Sequence, residues 1–278
     1  IRRPPRSTQG VSSAASDVYK RQLTDRLPRE PCVSLSPPEA TISPADSNSL
    51  PPACGHSEPD AVTLSSTQHV ELQHRLDGDV SLDPATRAMY ATDASVFQIM
   101  PAAVVRPRHA ADVAAALEFC REHGLSITAR GGGTSQAGQA IGHGLQLDFS
   151  KLLNEILEIQ PDRRCVRVQP GIVLDELNAV LKPYNLTLPL DLSTSSRATI
   201  GGMISNNSSG TRSVIYGKTI DYVESLAVMM SDGSTVTLDD ASPTTSGSQS
   251  LASQCQETVE RLAREHADEI SLLSLIHI

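Results

Sequence analysis

The segment whose reading decides the fold is Arg130-Gly131-Gly132-Gly133-Thr134-Ser135-Gln136-Ala137-Gly138-Gln139. Three successive glycines remove every Cβ from the start of a loop, so main-chain N–H groups can converge on a ligand and φ can turn positive without strain. A turn needs one or two glycines, and a third adds unfolded-state entropy that a turn alone does not require. The loop is therefore read as an anion site with phosphate as its guest, and an ordinary tight turn is the plainer alternative. Arg130 either adds a charge-assisted contact or anchors the loop, while Thr134, Ser135 and Gln139 offer side-chain donors.

The flanking sequence supplies the scaffold. Ala102 to Val105 reads as a buried strand stopped by Pro107. From Ala110 to His123 the apolar residues Val113, Leu117 and Cys120 recur at helical spacing, and Gly124 takes the position just past the helix end. Ser126 to Ala129 follows as a strand, which makes one β-α-β unit leading into the glycine loop. Beyond the loop lie strands at Leu145 to Phe149, Ile156 to Ile159 and Val166 to Val168, then a helix from Val173 to Leu181 with Leu174, Leu177 and Leu181 on one face. After a polar, glycine-rich stretch from Pro189 to Gly217, strands at Leu226 to Met230 and Thr235 to Leu238 flank Asp232-Gly233, a hairpin signal. With a short helix that Ser66 caps and Gly78 closes, this mixture predicts an α+β domain over residues 66–240. Residues 250–272 read as a further helix without an evident partner face.

Residues 1–65 are expected to be a disordered or artefactual tail. The first 68 residues hold ten of the chain's 18 prolines and show no sustained period. The stretch Ser12 to Gln22 resembles adapter-derived text in translated metagenomic reads, and Leu273 to Ile278 is similar in kind, so residues 241–278 read as linker, helix and an artefactual end. The net charge of −9 and an aromatic content of 3% with no Trp lack the basic footprint and stacking platforms of a nucleic-acid binder. The five cysteines, Cys32, Cys54, Cys120, Cys165 and Cys255, contain no C-x-x-C, so no metal site or disulfide framework is expected and a reducing compartment fits. Cys120, on the apolar helix face, is expected in the core. No apolar run reaches the ~18 residues of a membrane span, and the basic start is followed by Ser, Thr and Gly rather than a secretory apolar segment.

The kind of phosphate ligand is narrowed by two failures. A Rossmann G-x-G-x-x-G would need glycine where Gln136 stands, and a P-loop ending in Gly217-Lys218-Thr219 would need glycine where Arg212 stands. A second constellation, Asp191 to Gly210, carries the paired glycines Gly201 and Gly202 among small polar residues. Its Ile200, Met203 and Ile204 are spaced to bury one side of a short helix, which a flexible Ser/Asn linker would not be.

Together, R-G-G-G-T-S after a strand, then P-x-D-x-S-T, R-A-T-I-G-G-M-I and x-x-Y-G-K-T, resemble the FAD-binding domain of the vanillyl-alcohol oxidase / p-cresol methylhydroxylase (PCMH-type) superfamily. Within it the chain looks most like the bacterial FAD-linked D-lactate, glycolate and D-2-hydroxyglutarate dehydrogenases, over about residues 83–240. The resemblance implies two α/β subdomains. It implies that Arg130, Gly131, Gly132, Gly133, Thr134, Ser135, Gly138 and Gln139 wrap the FAD pyrophosphate. Pro189, Asp191, Ser193, Thr199, Gly201, Gly202, Asn206, Ser209 and Gly210 would line the isoalloxazine and the rest of the diphosphate, with Tyr216 and Gly217 at the motif's end. Some relatives tether the flavin through a histidine in the triple-glycine loop; this loop has none, so the implied FAD is non-covalent.

The implied reaction is oxidation of a 2-hydroxy acid by hydride transfer to the flavin, with an electron acceptor downstream and a cytoplasmic location that leaves peripheral membrane attachment open. The substrate domain, the catalytic base and any iron–sulfur cluster would lie in further sequence absent from this chain, so the chain is expected to be a truncated piece with negligible turnover. A non-catalytic module for another phosphorylated ligand, or a flavin enzyme for a sugar or alkyl-glycerone phosphate, are the alternatives.

Overall fold

The computed structural model describes residues 62–239 and 250–276. The expectations for the N-terminal tail up to residue 61, for the linker at 240–249 and for the last two residues lie outside the described residues. The chain opens with α1 (Ser66–Arg75), β1 (Asp79–Ser81) and α2 (Pro84–Tyr90), of which β1 and α2 had no sequence forecast. The cap of α1 is Ser65 rather than Ser66: its hydroxyl accepts from Gln68 N–H, and the Gln68 side chain returns to Ser65 N–H, a reciprocal pair that satisfies two otherwise orphan donors.

The first layer is a four-stranded sheet. β2 (Ala103–Arg106), β3 (Ile127–Arg130) and β4 (Leu145–Asp148) run parallel, with β4 inserted between the other two, and β1 adds antiparallel to β2 at the edge. Between β2 and β3 the chain crosses over through α3 (Ala110–His123), which Gly124 ends in the left-handed conformation at φ 63°. Leu145 and Leu147 face the core that Phe119, Ala116, Cys120 and Leu72 fill. Period-two alternation sends Gln146 and Asp148 to the opposite face, where they are also buried.

The buried face of α3 differs from the predicted one. It is Asp112, Ala116, Phe119 and Cys120, and Val113 is only partly buried. The reason is a carboxylate: Asp112 accepts from Asp77 N–H at 2.9 Å and from Arg108 N–H at 2.7 Å, so a charged residue sits inside because it caps two chain segments. Apolar spacing alone does not register such a residue.

The second layer gathers around a separate core. β5 (Ile156–Gln160) and β6 (Cys165–Val168) form an antiparallel pair. Helix α4 (Leu174–Leu181) buries Leu174, Leu177 and Leu181 as its spacing predicts. Helix α5 (Ile200–Ser205) adds Ile200 and Met203, with Val166, Ile172, Leu188, Leu190 and Tyr222 completing the cluster. After α6 (Ser213–Tyr216), β7 (Ser225–Met229) and β8 (Thr235–Asp239) form the expected hairpin, turning at Gly233 with φ 85°. The predicted C-terminal helix is two helices, α7 (Leu251–Glu265) and α8 (Ala267–Ile276), divided at His266.

Cys120 lies in the core at 4% exposure, and burial pushes its thiol up to about 11. The thiolate is the nucleophile, so at pH 8 Cys120 is expected to resist iodoacetamide while exposed Cys255 is modified. Peptide mass mapping after timed alkylation reads this directly, and equal labelling of the two would contradict the packing of α3.

Candidate functional site

The glycine loop leaves the C-terminal end of β3 and returns to β4. Within it the main-chain N–H groups of residues 131–138 donate to no acceptor among the described residues; the first loop amide with a partner is that of Gln139, which donates to Ser135 Oγ at 3.2 Å. A run of eight amide donors without protein acceptors is a concentrated positive dipole surface, suited to an anion. Gly133 and Gly138 hold φ of 64° and 80°, so the backbone path itself requires glycine there.

The other two glycines of the triplet serve a different purpose. A Cβ on Gly131 would overlap the Thr199 hydroxyl, and one on Gly132 would overlap the Arg197 carbonyl oxygen. The missing side chains therefore let the loop press against the second motif, which follows some 65 residues later in the chain. At Gly131 and Gly132 the space a side chain would take is filled by protein.

The second motif is divided by its own contacts. Thr199, 2% exposed, caps α5 by accepting from Gly202 N–H, and stands at the joint with Gly131. The first amides of α5 are already engaged: Ile200 N–H donates to the Ile172 carbonyl at 2.9 Å and Gly201 N–H to the Pro170 carbonyl at 2.8 Å. Gly201 also needs its bare Cα, since a Cβ would lie 2.7 Å from the Pro170 ring. Asp191 and Gly210 meet each other through backbone, and the Asp191 carboxylate accepts from Thr211 Oγ1 at 2.8 Å beside Arg212 at 3.3 Å. Gly202, Ser193, Asn206 and Ser209 are exposed, and Pro189 is half-buried. The structure thus joins Gly131 and Gly132 with Thr199 and Arg197, and brings Asp191 instead against Gly210, Thr211 and Arg212.

Arg130 is the loop's anchor. Its guanidinium donates to the carbonyls of Thr92 at 2.9 Å, Ala140 at 3.1 Å and Tyr90 at 3.3 Å, and lies 5.1 Å from the Tyr90 ring centroid. The group at the loop's entry therefore holds the loop's exit, and the loop closes on itself. Ala140 is gripped further: its carbonyl accepts from the Gln146 amide, and its N–H donates to the Asp93 carboxylate at 3.4 Å.

Beneath the loop, the Tyr90 hydroxyl donates to Asp148, whose other oxygen accepts from Ser150 N–H at 2.8 Å. Burial lifts the Tyr90 phenol above its ordinary range, and the adjacent Asp148 carboxylate lifts it further. Burial also lowers the Arg130 guanidinium, against the raising influence of Tyr90, Asp148 and Asp93. For Asp93 burial acts upward, but hydrogen bonds from Ser95 and Ala140 and the charge of Arg130 outweigh it and hold the carboxyl below its usual range. Tyr90, Asp93, Gln146 and Asp148 were not among the residues forecast from sequence. The one local signal was Asp93-Ala94-Ser95, an Asp-x-Ser turn pattern.

The chain resembles known proteins in sequence and in fold. A family model described as FAD binding domain matches residues 101–239. The chain is 44% identical over 159 residues to the D-2-hydroxyglutarate dehydrogenase of Pantoea ananatis, a match covering 56% of this chain and 16% of that one. The D-2-hydroxyglutarate dehydrogenase of Pseudomonas putida is 45% identical over 170 residues, covering 59% and 17%. Among solved structures, an alkyldihydroxyacetonephosphate synthase superposes with a TM-score of 0.59 over 67% of this chain and 37% of its own, at 21% identity, which is a likeness of fold. The chain spans about a sixth of the length of the dehydrogenases it matches.

Proposed function

As this chain belongs to the FAD binding domain family, we propose that residues 66–240 are the cofactor-holding domain of a flavin-dependent dehydrogenase that oxidises a 2-hydroxy acid to the 2-oxo acid. The observation that carries this reading is the row of amides from Gly131 to Gly138 without protein acceptors, set on a loop that Arg130 locks at both ends. The identity to D-2-hydroxyglutarate dehydrogenases, at 44% and 45%, supports a 2-hydroxy acid as the substrate class.

The residues present fit a dinucleotide. The free amides suit its two phosphates, and Thr134 stands in the same loop as a hydroxyl donor, while the Ser135 hydroxyl donates to the Gln139 side chain. Residues 130–139, the glycine-rich part of the loop, contain no histidine, which supports non-covalent attachment. When bound, FAD supplies the acceptor for the electron pair that leaves with the substrate's α-hydrogen. The chain's own part is to bind and orient: the loop amides hold the anion, Arg130 keeps them convergent, and Thr199 fixes the second motif against Gly131. Gly202, Asn206 and Ser209 are exposed and available as further polar lining. The proposed partners are a small 2-hydroxy acid and an electron acceptor. Among the described residues no helix is long and apolar enough to cross a membrane, and a cytoplasmic setting, with or without peripheral attachment, is part of the proposal.

Parallel calorimetric titrations of the full chain with FAD, FMN, ATP and NAD test the reading. FAD is expected to bind at least ~10-fold more tightly than the others, a difference of about 1.4 kcal/mol. Equal affinity for all four, or preference for ATP, would make the loop a site for some other phosphorylated ligand.

A further inference from the structure

A flavin dinucleotide is two anionic groups between two flat aromatic systems, and both sequence motifs are polar. Amides and hydroxyls satisfy the phosphates; packing against a ring requires an apolar or aromatic wall from elsewhere. The described aromatic residues are few, and most are committed. Phe119, Tyr90 and Tyr222 are buried, Phe149 packs against the first core, Tyr216 is half-buried at the end of α6, and Tyr184, though 47% exposed, lines a groove by β6 and α4 away from the glycine loop. Phe97 is different: it is 55% exposed, and its ring lies against the glycine loop, with Cδ2 3.1 Å from the place a Cβ on Gly138 would take.

The segment that carries Phe97 is built to present it. Asp93 accepts from Ser95 N–H at 2.8 Å, and Ser95 Oγ then accepts from Phe97 N–H at 3.1 Å, two consecutive side-chain turns. Thr92 pairs with Gln98 as an antiparallel bridge, and Ile99 N–H donates to the Ala91 carbonyl at 2.8 Å, so the segment is a small closed ribbon with Val96 and Phe97 at its tip. The ribbon is fastened to the glycine loop at its base, through Arg130 to the Thr92 carbonyl and Asp93 to Ala140 N–H. Its tip displays Val96 at 95% exposure beside Phe97. Two adjacent apolar side chains on a hydrogen-bonded turn, continuous with a row of unpartnered amides, form the missing half of a site for an aromatic dinucleotide.

We propose that Phe97, supported by Val96, is the ring-packing wall of the cofactor site and takes one of the two heteroaromatic systems of FAD. This rests on the cofactor reading above. It assigns a binding role to a residue outside both glycine motifs, and it gives Gly138 a reason to lack a side chain, since one there would push the ring away from the loop.

The test uses the full chain and the variants Phe97→Ala and Phe97→Tyr. Because Phe97 is more than half exposed, melting temperature and far-ultraviolet circular dichroism should match wild type, which separates binding from folding. Phe97→Ala is expected to weaken FAD about 10-fold, the scale of one lost ring stack, and Phe97→Tyr, which keeps the ring, should stay within about 2-fold of wild type. Titration with FMN and with ADP identifies the ring: loss on FMN places the isoalloxazine at Phe97, and loss on ADP places the adenine there. Unchanged FAD affinity in Phe97→Ala, with Gly132→Val defective, overturns the proposal and leaves the cofactor reading intact. A wild-type chain that binds no FAD overturns both.

Discussion

Gly132→Val is expected to weaken FAD binding about 100-fold, or ~2.7 kcal/mol. A Cβ at this position would overlap the Arg197 carbonyl oxygen, and Arg197 lies on the approach to α5. That neighbour is backbone, which cannot rotate away as a side chain can, so the loop must lift from the second motif and its amides lose their alignment. Calorimetric titration of Gly132→Val and wild type with FAD reads this loss directly. Equal FAD affinity in Gly132→Val and wild type would mean that the contact between the motifs does not shape the site.

Arg130→Met is expected to be the most damaging single change to the loop. It removes donors from the carbonyls of Tyr90, Thr92 and Ala140 and takes the positive charge from beside Asp93 and Asp148. Hydrogen bonds from a charged group contribute roughly 1.5–3 kcal/mol each, but the side chain is only partly buried and solvent will replace some of them. A stability loss of about 3 kcal/mol, read as a shift in the urea midpoint at constant slope, is the expected scale. FAD retention should be lost with it. Arg130→Lys keeps the charge but cannot span three carbonyls with a planar fork, so it should recover only part of the stability. A variant Arg130→Met that retains both stability and FAD would show that the loop holds its shape without this anchor.

Several elements were legible in the sequence because their causes are local. Leu174, Leu177 and Leu181 recur at helical spacing and are the residues α4 buries. Gly124 and Gly233 take positive φ at the helix end and hairpin turn where their neighbours call for it. The triple glycine and the Asp191 to Gly210 stretch stood out by composition alone. Misreadings arose where a long-range contact decides the outcome. Asp112 is inside because Asp77 N–H, brought in by the fold from 35 residues away, donates to it beside the local Arg108 N–H. β1 and α2 are short, and their places at the sheet edge and under the loop come from pairing with β2 and from Tyr90 reaching Asp148.

What this chain's sequence determined by itself was the order of the main strands and helices between Ala102 and Leu238, the existence of two glycine-bearing polar loops, and the likeness of those loops to a flavin domain; period, capping and the special backbone freedom of glycine all act within a few residues. Only the tertiary structure decided that Gly131 and Gly132 face protein, that Arg130 closes the loop on itself, and that Phe97 stands beside Gly138. Each of those depends on groups distant in sequence meeting at a few ångströms, and short-range pattern carries no record of which surfaces the folded sheet will bring together.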